Sequence, residues 1–388
     1  MRYASLYIFH FIYFIATGCA AFLSKYYGEI GLSDGRIGLL TSAATILAMG
    51  AMPLLGSLSD RIGQKRALLA AEMALMAAAC FAAWRCERFA PLLPAVSLYT
   101  VFSISTLPLA TTISLEYCAG ANRPYGPIRL LGTVGYQAGA LLVGALLAKS
   151  LRDLFAMMGA CILLAAGATA LMPDVRGHQR RRERIPLRRL FADRRLKWLY
   201  GMILFASVTT QFYNAFFGKY MGDLGMSNAL VSRITFLSVL MELPFLLLGD
   251  RIRKWTTVWN WLRVGFIVNG VRWLGLAFLH EPAAIVLFQL PGVTVLACFE
   301  FIPAFYLSAR VPDELLGSAQ SMLSLVIFGA GKIIGSLLGG LVSQRAGIPA
   351  VFAFNGAMLL LGCAAFWQPM SRLIREEKEE TEKGMEPC

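Results

Sequence analysis

The chain reads as an all-α membrane protein of twelve transmembrane helices, arranged as two pseudo-symmetric six-helix bundles. Three observations carry that reading: apolar runs long enough to span a bilayer, a motif that returns at the same place in each half, and an arginine-rich stretch between the halves. Hydrophobic residues make up 57% of the 388 and charged residues 15%, against roughly 25% charged in soluble domains. A water-soluble fold this apolar would lack an adequate polar surface. A helix needs about 20 apolar residues to cross the hydrocarbon core, and runs of that length recur along the whole chain.

The first run, 5–27, follows only Arg2 and shows no small-residue cleavage site. It is expected to stay as the first spanning helix rather than be removed as a signal peptide. Spans 2 to 6 are expected at 36–58, 66–86, 91–115, 127–149 and 152–172. The stretch 173–195 then holds nine arginines between Arg176 and Arg195, too polar to enter a bilayer. Spans 7 to 12 follow at 196–221, 229–249, 258–279, 283–307, 317–343 and 349–369. From Arg372 onward the Glu/Lys-rich tail is expected to be a frayed or disordered extension. The domain reading is therefore a first bundle over 1–172, a basic linker over 173–195, a second bundle over 196–370 and a polar tail over 371–388.

A net charge of +13 could point to nucleic acid, but the cations gather in the loops between spans rather than along one soluble face. Lys and Arg are held on the cytoplasmic side of membrane proteins. The turn after span 2, the turn after span 8 and the central linker are the basic ones. The bias places both termini and the linker in the cytoplasm. The expected location is the plasma membrane, a bacterial inner membrane, crossed many times. Turns on the other side are poorer in cations, although Arg85, Arg88, Lys149 and Arg152 lie there. The eight cysteines sit mostly inside apolar runs without metal-ligand spacing, as small buried hydrophobes do.

An internal repeat marks the two halves. Lys25-Tyr26-Tyr27-Gly28-Glu29-Ile30-Gly31-Leu32-Ser33 returns 194 positions later as Lys219-Tyr220-Met221-Gly222-Asp223-Leu224-Gly225-Met226-Ser227. A repeat at this spacing is what two six-helix halves of like topology would leave in the sequence. Glycine-rich faces on span 5 (Gly132, Gly135, Gly139, Gly144) and span 11 (Gly329, Gly331, Gly335, Gly339, Gly340) suit closely packed helices.

The turn Gly56-Ser57-Leu58-Ser59-Asp60-Arg61-Ile62-Gly63-Gln64-Lys65-Arg66 resembles the signature loop between helices 2 and 3 of the major facilitator superfamily. The resemblance implies a gating role for Gly56, Asp60, Arg61, Gly63, Lys65 and Arg66. A weaker second copy carries Asp250 and Arg251. A finer resemblance, to the lactose permease and phenylpropionate permease branch, rests on short motifs scattered along the chain. Tyr125 to Tyr136 is similar to that branch's Y-G-x-x-R-x-x-G-x-x-G segment, which brings in Arg129 and Tyr136. Arg272 is similar to a helix 9 arginine implicated there in proton movement. Glu242-Leu243-Pro244-Phe245 resembles its E-x-P-F pattern, and Gln289 to Thr294 its helix 10 segment. The departures count as well. Pro291 stands in place of the branch's helix 10 histidine and Thr294 in place of a lactose permease carboxylate, while Gln211 and Asn214 occupy the region of its charged helix 7 partners. Lactose is therefore not the expected substrate.

An unpaired ionisable residue at the bilayer centre costs roughly 2.5–3.5 kcal/mol on insertion scales, so such groups face a partner or a wet cavity. The candidates are Glu242 and Glu300, expected at a common depth about two turns from the ends of spans 8 and 10, with Arg272 and Lys332 deeper along their helices. His10, in span 1, is a weaker candidate for titration. Trp84, Trp198, Tyr200, Trp255, Trp259 and Trp367 are expected as interfacial anchors, and Tyr136 and Trp273 as rings that could stack on a solute. The sequence contains no phosphate loop, nucleophile triad or metal cluster, so no enzyme, cofactor or metal is expected. The expected function is secondary active transport of a small organic solute by alternating access, as proton-coupled uptake by a monomer. Proton-driven efflux of drugs or metabolites, and a non-transporting receptor on the same fold, stay open as alternatives.

Overall fold

The computed structural model describes residues 2–62, 64–173, 193–242, 245, 248, 251–252 and 255–382, without the side chains of 2, 56–57, 59–62, 239, 313–314, 317, 378 and 380–382. Among the described residues the chain is built of helices, with no strand. Helix α1 runs over Arg2–Ala20 and, past a turn, Leu23–Glu29. It is followed by α2 (Asp34–Ile62), α3 (Lys65–Trp84), α4 (Phe89–Gly120), α5 (Gly126–Leu146) and α6 (Leu154–Thr169). After the linker come α7 (Arg194–Asp223), α8 (Asn228–Leu240), α9 (Val258–Phe278), α10 (Pro282–Arg310), α11 (Asp313 to Ala346) and α12 (Ile348–Glu382). These are the twelve spans of the expected all-α membrane fold. Eight of the described helices are long and apolar enough to cross a bilayer on those grounds alone. Helices α7 and α9 are not among the eight. They carry Gln211 and Asn214, and Asn269 and Arg272, which lower their hydropathy.

The described residues fall into two compact units. The first holds α1 to α6 together with Ala215–Phe236, which supplies the end of α7 and most of α8. Its tightest seam is α1 against α5. Gly135 and Gly139 let the two backbones touch, since a Cβ at either would overlap the carbonyl oxygen of Phe11 or Ile15. Gly18 faces the Tyr136 carbonyl in the same way from the other side. Without a hydrophobic force between helices in lipid, close backbone approach of this kind is what holds them.

The second unit holds the beginning of α7, the chain from Leu237, and α9 to α12. Its α7–α11 contact repeats the device, with Gly335 against the Val208 carbonyl and Gly339 against the Phe212 ring. Helix α9 lies along α12, where Gly356 meets the Gly270 carbonyl. Two long helices are not regular. In α10 the α-helix Pro282–Gln289 tightens to a 3-10 turn over Leu290–Gly292, then widens to a π-helical turn over Leu296–Phe301 before Ile302–Arg310 resumes. Proline accounts for both changes: Pro291 has no N–H for the Leu287 carbonyl, and Pro303 none for that of Phe299. The N–H of Leu290 bonds the Leu287 carbonyl instead. In α11 a π-helical turn, Leu325–Gly331, ends immediately before Lys332.

The tail differs from the sequence reading. Instead of fraying at Arg372, α12 continues to Glu382. Leu373 is buried, Glu377 accepts a hydrogen bond from Trp259 Nε1 at 2.8 Å, and Glu376 lies 3.7 Å from the Arg195 guanidinium. The polar tail has anchors on α7 and α9 that a reading of its own composition could not reveal. Residues 383–388 lie outside the described residues. Trp259 and Tyr200, expected at the interface, are buried. Trp255 is exposed as expected of an anchor.

If the glycine seams hold the bundles, Gly139→Leu should destabilise the protein by at least the 1–3 kcal/mol typical of overpacking. Gly201→Ala, on a face of α7 with nothing within 4 Å, should not. Thermal unfolding in detergent compares them, and equal midpoints would show that the α1–α5 seam yields freely.

Candidate functional site

The second unit concentrates its polar groups around the proline break in α10. Arg272 on α9 is 3% exposed. Its Nε donates to the Phe288 carbonyl at 2.8 Å and its Nη2 to Gln289 Oε1 at 2.6 Å. The Tyr213 hydroxyl on α7 donates to that same Gln289 oxygen at 2.8 Å. The guanidinium also packs against two neighbouring rings, 4.7 Å from the Tyr213 centroid and 4.6 Å from that of Trp273. Irregular winding at the Pro291 turn leaves carbonyls turned outward, and a buried cation with a planar fork of donors is well suited to meet them. Just below, Asn269 Nδ2 donates to the Thr294 hydroxyl at 3.0 Å, which itself donates to the Pro291 carbonyl at 2.7 Å. Thr294 thus takes a place in a hydrogen-bond chain, where the related carboxylate would carry charge. Trp273 has no exposed surface, stacks on Phe352 at 5.8 Å and donates to Thr209. It is core, and no solute reaches it in this structure.

The other charges of this unit are not so engaged. Glu242, just past the described end of α8, Glu300 in the π turn of α10 and Lys332 at the end of the π turn of α11 are each half-buried. None of the three side chains has an ion-pair or hydrogen-bond partner among the described residues. A π turn widens the helix by one residue and re-aims the side chains that follow, and such turns gather at functional sites. Here two of them sit at the two charges of α10 and α11. Gln211 is buried and accepts weakly from Asn214, which is exposed.

In the first unit, Arg129 is exposed, with its guanidinium 4.8 Å from the Phe14 centroid. Glu116, near the end of α4, pairs with Lys65 at 2.5 Å. Arg66 donates to the Met172 carbonyl at 3.3 Å. These two residues of the signature loop tie the start of α3 to the ends of α4 and α6. The side chains of Asp60 and Arg61, and Gly56, Gly63 and Asp250, lie outside what is described. Arg251 is exposed. Tyr136 is half-buried on α5. His10 is buried, with Nδ1 2.9 Å from the Leu6 carbonyl.

One group escaped the sequence reading. Glu72 on α3 is 2% exposed and accepts from the Ser105 hydroxyl at 2.8 Å, while its other oxygen is buried without a hydrogen-bond partner. An acid inside the run Ala70-Ala71-Glu72-Met73-Ala74 meets the same criterion that selected Glu242. Among the described residues no group of His, Cys, Asp or Glu could hold a metal ion.

The model of the MFS_1 like family matches residues 3–354. The maltose permease of Geobacillus stearothermophilus is 25% identical over 363 residues, which cover 92% of this chain and 91% of that one. A probable 3-phenylpropionic acid transporter of Escherichia coli (strain K12) is 24% identical over 347 residues, 87% of this chain and 90% of the other. Among solved structures, the nucleoside transporter NupG superposes with a TM-score of 0.84 at 19% identity, over 95% of this chain and 98% of that one. That likeness concerns the fold.

The geometry separates structural from free charge, and stability measures the difference. Arg272→Met would strip the Phe288 carbonyl and one bond of Gln289, at about 1–3 kcal/mol for each buried group left unpaired. Lys332→Met would remove a cation with no partner among the described residues and should leave thermal unfolding in detergent unchanged or raised. A Lys332→Met loss as large as that of Arg272→Met would assign Lys332 a structural bond.

Proposed function

Because the chain belongs to the major facilitator superfamily, through its MFS_1 like family, we propose that it is a secondary active transporter that takes up a small organic solute together with protons. It is a transporter of the superfamily, not an enzyme. What carries the finer reading is one observation: Glu242, Glu300 and Lys332 are half-buried in the second unit without partners among the described residues, while Arg272 in the same unit is fully engaged. Charges kept inside a membrane without internal partners mark ion and substrate pathways. The relatives' names, a maltose permease and a probable 3-phenylpropionic acid transporter, support a small organic solute.

In this reading Glu242 or Glu300 carries the coupled proton, in place of the helix 10 histidine that Pro291 replaces. An acid neutralised by a proton when the solute is bound no longer opposes passage of the carrier between its two access states. A carrier loaded with solute but without the proton would bear the cost of an unpaired buried charge, several kcal/mol, and is held back, while the empty carrier returns for the next cycle. Arg129, Tyr136, Gln211, Asn214 and Lys332 are the proposed solute contacts, with Arg272 holding the Pro291 turn in place, and the signature loop with Asp60, Arg61, Lys65 and Arg66 is the gate. The halves 1–172 and 196–370 rock about the solute, with the linker 173–195, the 371–388 tail and both termini in the cytoplasm of a bacterial cell, and the protein acts as a monomer.

Proteoliposomes tested with sugars, organic acids and nucleosides under an imposed pH step should accumulate one class. Glu242→Gln or Glu300→Gln should then abolish accumulation while leaving exchange of solute down its gradient. If both variants still concentrate solute, these acids are structural. Transport in the outward direction only would make the protein an exporter.

A further inference from the structure

The repeated motif that revealed the two halves does more than mark them. Each copy ends its helix in the same way. Gly31 and Gly225 take φ of +79° and +71°, a left-handed conformation open to glycine. The N–H of the following residue bonds back across the last turn, Leu32 to the Tyr27 carbonyl and Met226 to that of Met221. This is the Schellman ending. Both copies belong to the first compact unit, where they face each other. The stem of Lys219 lies along Gly28, and the stem of Lys25 along Gly222: a Cβ would sit 3.1 Å from the first Cγ and 3.3 Å from the second. Each lysine therefore crosses the other copy at its glycine.

The ammonium of Lys25 ends on the other copy, and that of Lys219 just past it. Lys25, 6% exposed, donates to the Met226 carbonyl at 2.6 Å. Lys219 lies 3.1 Å from Asp34, which opens α2 just past the first copy, and 2.7 Å from Asp223 in its own helix. Around this pair the seam is sealed by Gly218, where a Cβ would fall 2.6 Å from the Ser24 hydroxyl, and by α8 on α5, where Asn228 donates to the Leu147 carbonyl at 2.6 Å and Ser232 to that of Ala140 at 2.6 Å.

We infer that Lys25 and Lys219 form a reciprocal clamp that holds the α1–α2 and α7–α8 corners together at the membrane face opposite the N-terminus, and that this clamp must open for the solute to pass there. The two lysines are positioning residues: they touch no solute and set which face is open. The inference rests on the transporter reading given above, but it can be tested without a solute.

Ser232, 2% exposed in the seam, is replaced by cysteine in a chain whose native cysteines are serine. The rate of its reaction with a membrane-impermeant maleimide is then followed in sealed vesicles of both orientations. Lys25→Met and Lys219→Met, alone and together, should raise the labelling rate from the face opposite the N-terminus at least tenfold. Gly222→Ala, which crowds the Lys25 stem and keeps every charge, should raise it as well. The exchange Lys219→Asp with Asp34→Lys should return the rate towards that of the parent. Unchanged labelling in the double Met variant, with its thermal unfolding and size-exclusion profile intact, overturns the clamp, and so does an exchange variant as reactive as Lys219→Met. Solute counterflow on the same variants reports separately. A chain that labels as expected but exchanges no solute keeps the clamp and loses the transport reading.

Discussion

A charge inside a bilayer must be met by something, and that requirement sorts the ionisable residues of this protein into two groups. The first is satisfied within the chain. Arg272 has a carbonyl, an amide oxygen and two aromatic faces; Lys65 has Glu116; Lys219 has two aspartates. The second group, Glu242, Glu300 and Lys332, finds no bond among the described residues. At roughly 2.5–3.5 kcal/mol each on insertion scales, three such groups are a sizeable burden for a fold of marginal stability. Retaining them makes physical sense where a ligand or a proton supplies the missing partner during part of a cycle.

The winding of the helices follows the same division. Regular α-helix would satisfy the backbone of α10 most simply, yet its register changes at Pro291 and again ahead of Pro303. Each change frees or redirects backbone groups that lipid cannot satisfy. At the first, Arg272 meets the exposed carbonyl and freezes the turn. At the second, the widened turn presents Glu300 and no bond among the described residues fixes it. The π turn of α11 repeats this second pattern at Lys332 without a proline. One irregularity is therefore locked by a cation and two are left beside unpaired charge. Bistable elements are the raw material of switching, and in this chain the winding defects that remain unlocked are the ones that carry charge.

Much of the fold was legible in the sequence because its cause is local. Apolar run length fixes where helices cross, so the spans agree with the helices to within a few residues at most ends, and the glycine rows of α5 and α11 predicted helix seams because only a missing side chain allows backbone contact. The site was less legible. Glu242, Glu300 and Lys332 could be picked out as charges in apolar runs, and Glu72 by the same test. Whether each has a partner depends on residues far along the chain. Arg272 and Lys332 look alike as sequence, a cation in an apolar helix, and differ only because Phe288 and Gln289 turn towards one of them. Trp273 looked available for stacking, but Tyr213 and Phe352 bury it. The tail after Arg372 misled for the same reason: its composition is polar, yet Trp259 and Arg195 supply distant anchors.

The paired lysines show how far pseudo-symmetry reaches. The two copies share their lysine, their glycines and their helix ending, and even the acid one turn on, since Glu29 and Asp223 hold equivalent places. The backbones therefore repeat. The partners do not, because the position equivalent to Asp34 in the second copy is Asn228, whose amide is spent on the Leu147 carbonyl. Glu29 is likewise diverted, its carboxylate accepting the Leu151 N–H at 2.9 Å. Lys25 is left with a main-chain oxygen that exists only while the Gly225 turn keeps its shape. Lys219 holds two carboxylates whatever the turn does. One arm of the clamp thus reads backbone geometry and the other reads charge, so movement of the second copy's helix end would release Lys25 first and leave Lys219 as the tether.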